Sequence, residues 1–406
     1  MNQNSFDKFP EALQAALARL NVLVGEETLD YFYELYDSET GGFYYSISSR
    51  DSKEMTPFAE GTCFVQEALL AGGMTLPDWY KEKVGKWIQS HQDESDGFFY
   101  EELWGKITSG PRLNRDLAYS KSILSRCGYK QLYALPEDRI KSEGIASNAT
   151  LPEYLQSEEK MTEYLDSLDW SQKSIWSTGQ KLSTAGSLIK AAGLYDLTRN
   201  YIKAKQNLNT GLFGEGLGWM NTNGAMKLSA FFTSTEHPYP NSELAIESVK
   251  RLYTGDTPPT SATFIWNPFV LLKRILDYAG ENTDKLRALL YESGADIVNR
   301  AIDCALLLKR DDGGFAGNLT RGSKLQQGYL YGHGLRWESD LDGTLIAGQR
   351  LYSAIYSVFG LTAPSNYYLS RNDEFWERCK NKPETVKSLP RPEGALSPSG
   401  AMEPVR

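Results

Sequence analysis

Histidine and cysteine are scarce in this 406-residue chain: His91, His237 and His333 are its histidines, and Cys63, Cys127, Cys304 and Cys379 its cysteines. Three scattered histidines nearly exclude a multi-histidine metal site, and no C-x-x-C pair supplies thiolates at zinc-finger spacing. Neither a metal nor a cofactor is expected. Isolated cysteines suit the buried, reduced thiols of a cytosolic protein. Long apolar runs are missing as well, which excludes a membrane-spanning helix. The opening residues, MNQNSFDKFPEALQ, lack the basic region and apolar stretch of a signal peptide, so a cytoplasmic location is expected. Basic blocks are absent too, and a formal charge of −9 argues against nucleic acid as a partner. No segment sustains period-2 alternation, so strands should be few.

The chain does hold a hydrophobic content of 41%, ample for a core, and enough aromatic residues (12%) to line a cavity as well. A short turn motif recurs along it. D-S-E-T-G-G-F-Y-Y begins at Asp37, D-E-S-D-G-F-F-Y at Asp93 and D-D-G-G-F-A-G at Asp311. N-T-G-L-F-G at Asn209 reads as a fourth copy with one residue inserted. Glycine supplies positive φ in such turns and aspartate caps the backbone. Counted on Phe43, Phe98, Phe213 and Phe315, the spacings are 55, 115 and 102 residues. The two longer gaps are close to double the first, which suggests about six units of roughly 50–58 residues.

Helical patterns follow these turns. They run over 57–71, 113–125, 173–192, 223–232, from the cap-proline pair Asn267-Pro268, and over 340–359. More polar amphipathic helices lie between them at 79–91, 153–168, 242–253 and 295–308. An all-α fold of helix pairs is therefore expected. Its inner helices, preceded by acidic-x-Gly-Gly-Phe turns, make the chain resemble the terpenoid cyclase and protein prenyltransferase toroids. The likeness covers roughly residues 30–360. It implies a closed α/α toroid of about six helix pairs, one domain over 1–381. A solenoid with a concave binding face is the alternative. The Pro/Ser/Gly-rich residues 382–406 read as a tail, disordered or laid across the surface.

In such a barrel the N-terminal ends of the inner helices line the cavity mouth. That position selects Glu60, Arg112, Arg115, Asp116, Lys173, Asn221, Asn223, Lys227 and Asn267; Trp219 offers a stacking surface, and Trp266 is a further substrate-binding candidate. The densest group is Y-G-H-G-L-R-W-E-S-D-L-D-G-T, from Tyr331 to Thr344. It places His333, Trp337, Glu338, Asp340 and Asp342 together, and crowded carboxylates raise one another's proton affinity. D-L-D-G-T resembles the D-x-D-D-T motif of class II terpene cyclases, whose middle aspartate protonates an alkene or epoxide. The resemblance makes Asp342 the acid and Asp340 its anionic neighbour, although Gly343 stands where the family has its last aspartate. An ordinary helix cap by Ser339 or Asp340 explains the same residues. The prenyltransferase zinc site is not expected, since no cysteine lies in a D-x-C context.

Three functions remain open at this point. One is a class II terpene-cyclase-like enzyme with Asp342 as general acid, acting on an isoprenoid. The second is a carbohydrate-active toroid, a polysaccharide lyase or glycoside hydrolase. There Glu338, Asp340, Glu60, Asp116 or His333 would supply acid and base, and Trp219 a platform for an oligosaccharide. The third is a non-catalytic scaffold.

Overall fold

A computed structural model describes residues 8–106, 111–136, 138, 153–234, 236–326 and 328–393. It is 57% helix and 4% strand, as the lack of period-2 segments requires. The helices are α1 (Glu11–Arg19), α2 (Glu27–Leu35), α3 (Ile47–Asp51), α4 (Ala59–Ala71), α5 (Asp78–Ser90) and α6 (Pro111–Cys127). They continue with α7 (Glu158–Ser167), α8 (Ile175–Ala191), α9 (Tyr195–Ala204), α10 (Trp219–Thr233), α11 (Ser242–Thr254), α12 (Ala262–Asp277), α13 (Thr283–Ala288) and α14 (Gly294–Leu306). A small hairpin, β1 (Leu325–Gln326) and β2 (Tyr329–Leu330), precedes α15 (Leu341–Leu345), α16 (Leu351–Val358) and α17 (Asn372–Lys380).

The helix expected over 340–359 is interrupted. A π turn spans Ile346–Arg350, and Gly348 leaves helical geometry at φ −89°, ψ −109°. Glycine carries no Cβ to oppose that departure. The helix expected to begin at Asn267-Pro268 begins earlier. Ser261 caps it by accepting the Phe264 N–H at 3.3 Å, so Pro268 lies inside α12. Asn267 is turned to other use, donating to Asn223 Oδ1 at 2.9 Å.

The chain divides into two compact units. The first comprises Met1–Leu23, Ser147–Leu307 and Arg350–Ala363; the second comprises Val24–Ala146, Leu308–Gln349 and Pro364–Arg406. In the first, α8 packs on α10, α10 on α12 and α12 on α16, while α11 and α1 flank α14. In the second, α15 packs on α4, α4 on α6, α5 on α6 and α17 on α2. The second unit's core is rich in rings, among them Tyr31, Phe32, Tyr36, Phe43, Tyr45, Phe58, Tyr80 and Tyr331, all buried.

Among the described residues, four copies of one turn organise these helices. In the first, Asp37 N–H donates to Gly42 O and Gly41 N–H to Asp37 O, at 2.9 and 3.0 Å. Asp93 with Phe98 and Gly97, and Asn207 with Leu212 and Gly211, repeat both bonds. Arg310 with Gly314 and Gly313 forms a turn one residue shorter. Each copy closes with one antiparallel bridge: Tyr36 to Phe43, Gln92 to Phe99, Gln206 to Phe213 and Lys309 to Phe315. Two register expectations are thereby corrected. Phe99, not Phe98, is the equivalent phenylalanine, and the copy near Asn209 opens at Asn207 without an insertion. Adjacent phenylalanines look alike in sequence, but a slip of one residue would exchange buried Phe99 for half-buried Phe98.

Part of the C-terminal segment is held against the second unit. Lys382 Nζ donates to the carbonyls of Tyr33, Glu34 and Tyr36 at 2.6, 2.8 and 2.9 Å, satisfying the end of α2. Leu389 pairs with the backbone of Asp51 and Lys53. Residues 394–406 of the expected tail lie outside the described residues.

Candidate functional site

Two turns of the second unit feed their helices in the same way. Phe43 accepts the Phe58 N–H at 3.4 Å and donates its own N–H to Thr62 Oγ1 at 3.1 Å. Phe315 accepts the Asp340 N–H at 3.1 Å and donates to Thr344 Oγ1 at 2.9 Å. Phe58 therefore corresponds to Asp340 and Thr62 to Thr344. Between them Glu60-Gly61 matches Asp342-Gly343, so the two carboxylates hold one position in the first turns of α4 and α15. Gln326 on β1 joins them: its Nε2 donates to Glu60 Oε1 at 3.1 Å and to Asp342 Oδ1 at 2.8 Å. The two N–H bonds of an amide diverge by roughly 120°, which separates the acceptor oxygens by about 5 Å.

Glu60 is completely buried and sits between two arginines. Arg112 Nη1 lies 2.6 Å from Glu60 Oε2, and Arg115 adds its Nε at 3.2 Å and its Nη2 on Oε1. Burial pushes the Glu60 carboxyl up, but Arg112 and Arg115 outweigh it and hold the pKa below the ordinary value. Arg112, also buried, turns its Nε to Asp116 Oδ1 at 2.8 Å, with Trp104 Nε1 at 3.4 Å from the other oxygen. Asp116 is raised to about 6, chiefly because burial outweighs the attraction of Arg112. Arg115 keeps 32% of its side chain exposed and lies 5.3 Å from the Tyr119 ring. Trp104 packs on Tyr329 and Tyr331 at 5.2 and 5.0 Å between centroids.

The crowded acidic run separates into different jobs. Asp340 is buried, and four groups occupy its oxygens: the N–H of Gly343, Gly317 and Ser323, each at 2.7 Å, and the Tyr45 hydroxyl at 3.4 Å. It caps α15 and ties down the preceding loop. Glu338, buried too, accepts the N–H of Ser48 and Leu335 at 3.1 and 2.9 Å. Asp342 alone of the three is only half-buried. His333 Nε2 meets Ser52 Oγ at 2.6 Å, whereas Trp337 is 57% exposed.

The remaining candidates belong to the first unit, where the fold uses most of them. Trp219 is buried and donates to Thr257 O at 3.1 Å. Asn221 donates to Phe213 O at 2.6 Å and accepts from Gln172 at 2.7 Å. Asn223 accepts from Asn267. Lys227 and Trp266 are half-buried, with the Arg350 guanidinium 5.7 Å from the Trp266 ring.

Sequence reasoning overlooked Gln326 and Glu101, and reached Tyr331 only as the first residue of the dense acidic run. Gln326 lies in L-Q-Q-G-Y-L, which carries no motif. Glu101 had a signal: it follows the turn phenylalanine Phe99 by two residues. It accepts the Ala59 N–H at 2.6 Å and so caps α4. Among the described residues no His/Cys/Asp/Glu group could hold a metal ion, and no helix is long and apolar enough to cross a membrane. Two surface clefts, of 510 Å³ beside Tyr239, Leu244 and Lys285 and of 220 Å³ beside Tyr44, Trp87 and Glu384, contain neither Glu60 nor Asp342. Comparison with protein-family models, curated proteins and solved structures finds no match for this chain.

Proposed function

We propose that the second unit holds a site for a polyhydroxylated substrate, and that the protein is a carbohydrate-active enzyme of the lyase or glycoside-hydrolase kind. The observation that carries this reading is the Gln326 amide set between Glu60 and Asp342. An amide donor favours the anionic carboxylate, whereas the acid of a class II cyclase must stay protonated. Asp342 thus suits general base or hydroxyl acceptor, and Arg115 suits a sugar hydroxyl or carboxylate. Asp116, titrating near 6, suits the group that changes protonation in the cycle. The half-buried Trp104 and Tyr119 offer ring faces beside them.

The α/α toroid expected from the repeats belongs to the same proposal. Its support is the turn repeated four times and the side-by-side packing of successive inner helices within each unit.

The test is a ligand screen followed by turnover. Acidic and neutral oligosaccharides should raise the melting temperature of the wild type, and Asp342→Asn should lower turnover by about 10²–10⁴-fold. Stabilisation by isoprenoid diphosphates alone would overturn the carbohydrate reading in favour of the cyclase.

A further inference from the structure

The charge cluster around Glu60 contains more carboxylates than cations. Arg112 and Arg115 bind Glu60, and Arg112 also binds Asp116. Among the described residues neither arginine forms an ion pair with the third carboxylate, Glu101, which is 2% exposed. Two positive charges are thus matched by two negative ones. A third buried anion without a cation would be costly, and neutralisation by a proton relieves that cost.

The local geometry shows where such a proton would sit. Glu101 spends Oε1 on the Ala59 N–H, while its buried Oε2 has no hydrogen-bond partner. Oε2 lies 4.0 Å from His91 Nδ1. On the far side of the same imidazole, Nε2 is likewise without a partner and lies 4.0 Å from Oε1 of Glu102, whose side chain is 64% exposed. The turn creates this arrangement. Tyr100 N–H bonds to His91 O at 2.9 Å, holding the end of α5 beside the extended segment that follows. Glu101 is buried there, whereas Glu102 opens the turn that the Gly105 N–H closes on Glu101 O at 2.9 Å and keeps its side chain at the surface.

We infer that Glu101 holds the exchangeable proton of this cluster and that His91 passes it to and from Glu102 at the surface. In one transfer the Glu101 Oε2–H bond breaks and His91 Nδ1–H forms; His91 Nε2–H breaks and the proton lands on the Glu102 carboxylate. The imidazole ends in its other tautomer, and no electrons are gained or lost. Small reorientations of the side chains close the two gaps. The groups facing Glu101 are Glu60 from α4, Arg112 and Asp116 from α6, His91 at the end of α5, and Tyr331 beyond β2, whose buried hydroxyl has no partner. Burial, then Asp116, raises the Glu101 carboxyl well above the usual range, and burial lowers His91 to about 4. Both shifts favour the neutral forms that a tautomeric relay uses.

The inference rests on the proposed site only for where the proton is used, and its test needs no substrate. Infrared spectroscopy of the full chain at pH 8 should show the C=O stretch of a protonated carboxylic acid, shifted by transfer into D2O. Glu101→Gln, which keeps the size and the Ala59 bond, should remove the band. Glu102→Gln, at the surface, should leave the band but slow its deuterium shift severalfold, and His91→Phe should do the same. Absence of the band from the wild type overturns the inference even if a variant fails to fold. So does a band that survives Glu101→Gln, or exchange that Glu102→Gln leaves unchanged. Failure of the carbohydrate screen with these infrared results intact would reject the substrate reading alone.

Discussion

Glu60 and Asp342 occupy one position in two copies of a single turn-and-helix module, and the Gln326 amide bonds to both. Thr62 and Thr344 anchor the two copies by accepting the N–H of Phe43 and Phe315. The equivalence gives the site a physical origin. A module whose helix begins three residues before a threonine anchor presents the second residue of that helix to a neighbouring element. The two neighbours differ: at α4 the carboxylate meets Arg112 and Arg115, and at α15 it meets Gln326.

The turns make the first prediction. Gly313 has φ +93°, and a Cβ there would come within 2.3 Å of Glu27 O; at Gly41, with φ +78°, the nearest atom is a flexible Lys83 carbon at 3.4 Å. Left-handed geometry alone costs a non-glycine residue roughly 1–2 kcal/mol. Gly41→Ala should lose about that much in urea unfolding. Gly313→Ala should lose clearly more, because a backbone carbonyl must move. Equal losses would show that the close approach carries no energy.

How much of this was legible beforehand follows from the same residues. Glycine, aspartate and phenylalanine mark the turns chemically, so the repeat and the helices after it could be read. Period-3.6 stripes located α5, α11 and α14 to within a residue or two. The site was only half visible. Glu60, Arg115, Asp116 and Asp342 stand at helix starts, where position alone selects them. Gln326 and Glu101 join them through contacts 266 and 42 residues distant in sequence, which no local pattern encodes. Asp340 looked like Asp342 because sequence does not show that four donors consume one and not the other.

Two buried groups should give stability opposite slopes in one pH window. Asp116 is raised to about 6 in the fold, so its contribution is full below its unfolded value near 4 and is lost as pH rises through 6. His91 is lowered to about 4, so its contribution is full above its unfolded value near 6.5 and is lost as pH falls through 4. Each shift amounts to roughly 3 kcal/mol across the window. Asp116→Asn should therefore make stability rise more steeply between pH 4 and 6, and His91→Asn should flatten or reverse the rise. Chemical denaturation at half-unit pH steps reads both, and slopes equal to wild type would refute the assignments.

Arg112 tests the buried ion pairs. Arg112→Met keeps much of the side chain's volume but strips Glu60 and Asp116 of a guanidinium that no solvent replaces. Breaking a buried pair by removing one partner costs about 3–5 kcal/mol. Arg112→Met combined with Glu60→Gln and Asp116→Asn should recover a good part of that loss, since the stranded charges disappear with it. A triple variant no more stable than the single one would mean that packing, not charge, governs the position.

The acidic run supplies the last and most discriminating pair of variants. Asp340 offers its oxygens to three backbone N–H groups and the Tyr45 hydroxyl, so Asp340→Ala removes a helix cap and strands the Gly317 and Ser323 amides. A lost cap costs about 0.5–2 kcal/mol and each buried unsatisfied group about 1–3 kcal/mol. The melting curve of Asp340→Ala should record a loss of several kcal/mol. Asp342 has no such structural duty on α15, whose cap is Asp340. Asp342→Asn retains size and can still meet the Gln326 amide through its carbonyl oxygen, so stability should stay within about 0.5 kcal/mol of wild type. What it lacks is a carboxylate that can take and return a proton. On a substrate found by the oligosaccharide screen, turnover should fall by about 10²–10⁴-fold, the range for a lost acid–base group. A stable Asp342→Asn with full turnover would remove Asp342 from the chemistry and leave it as a partner of Gln326.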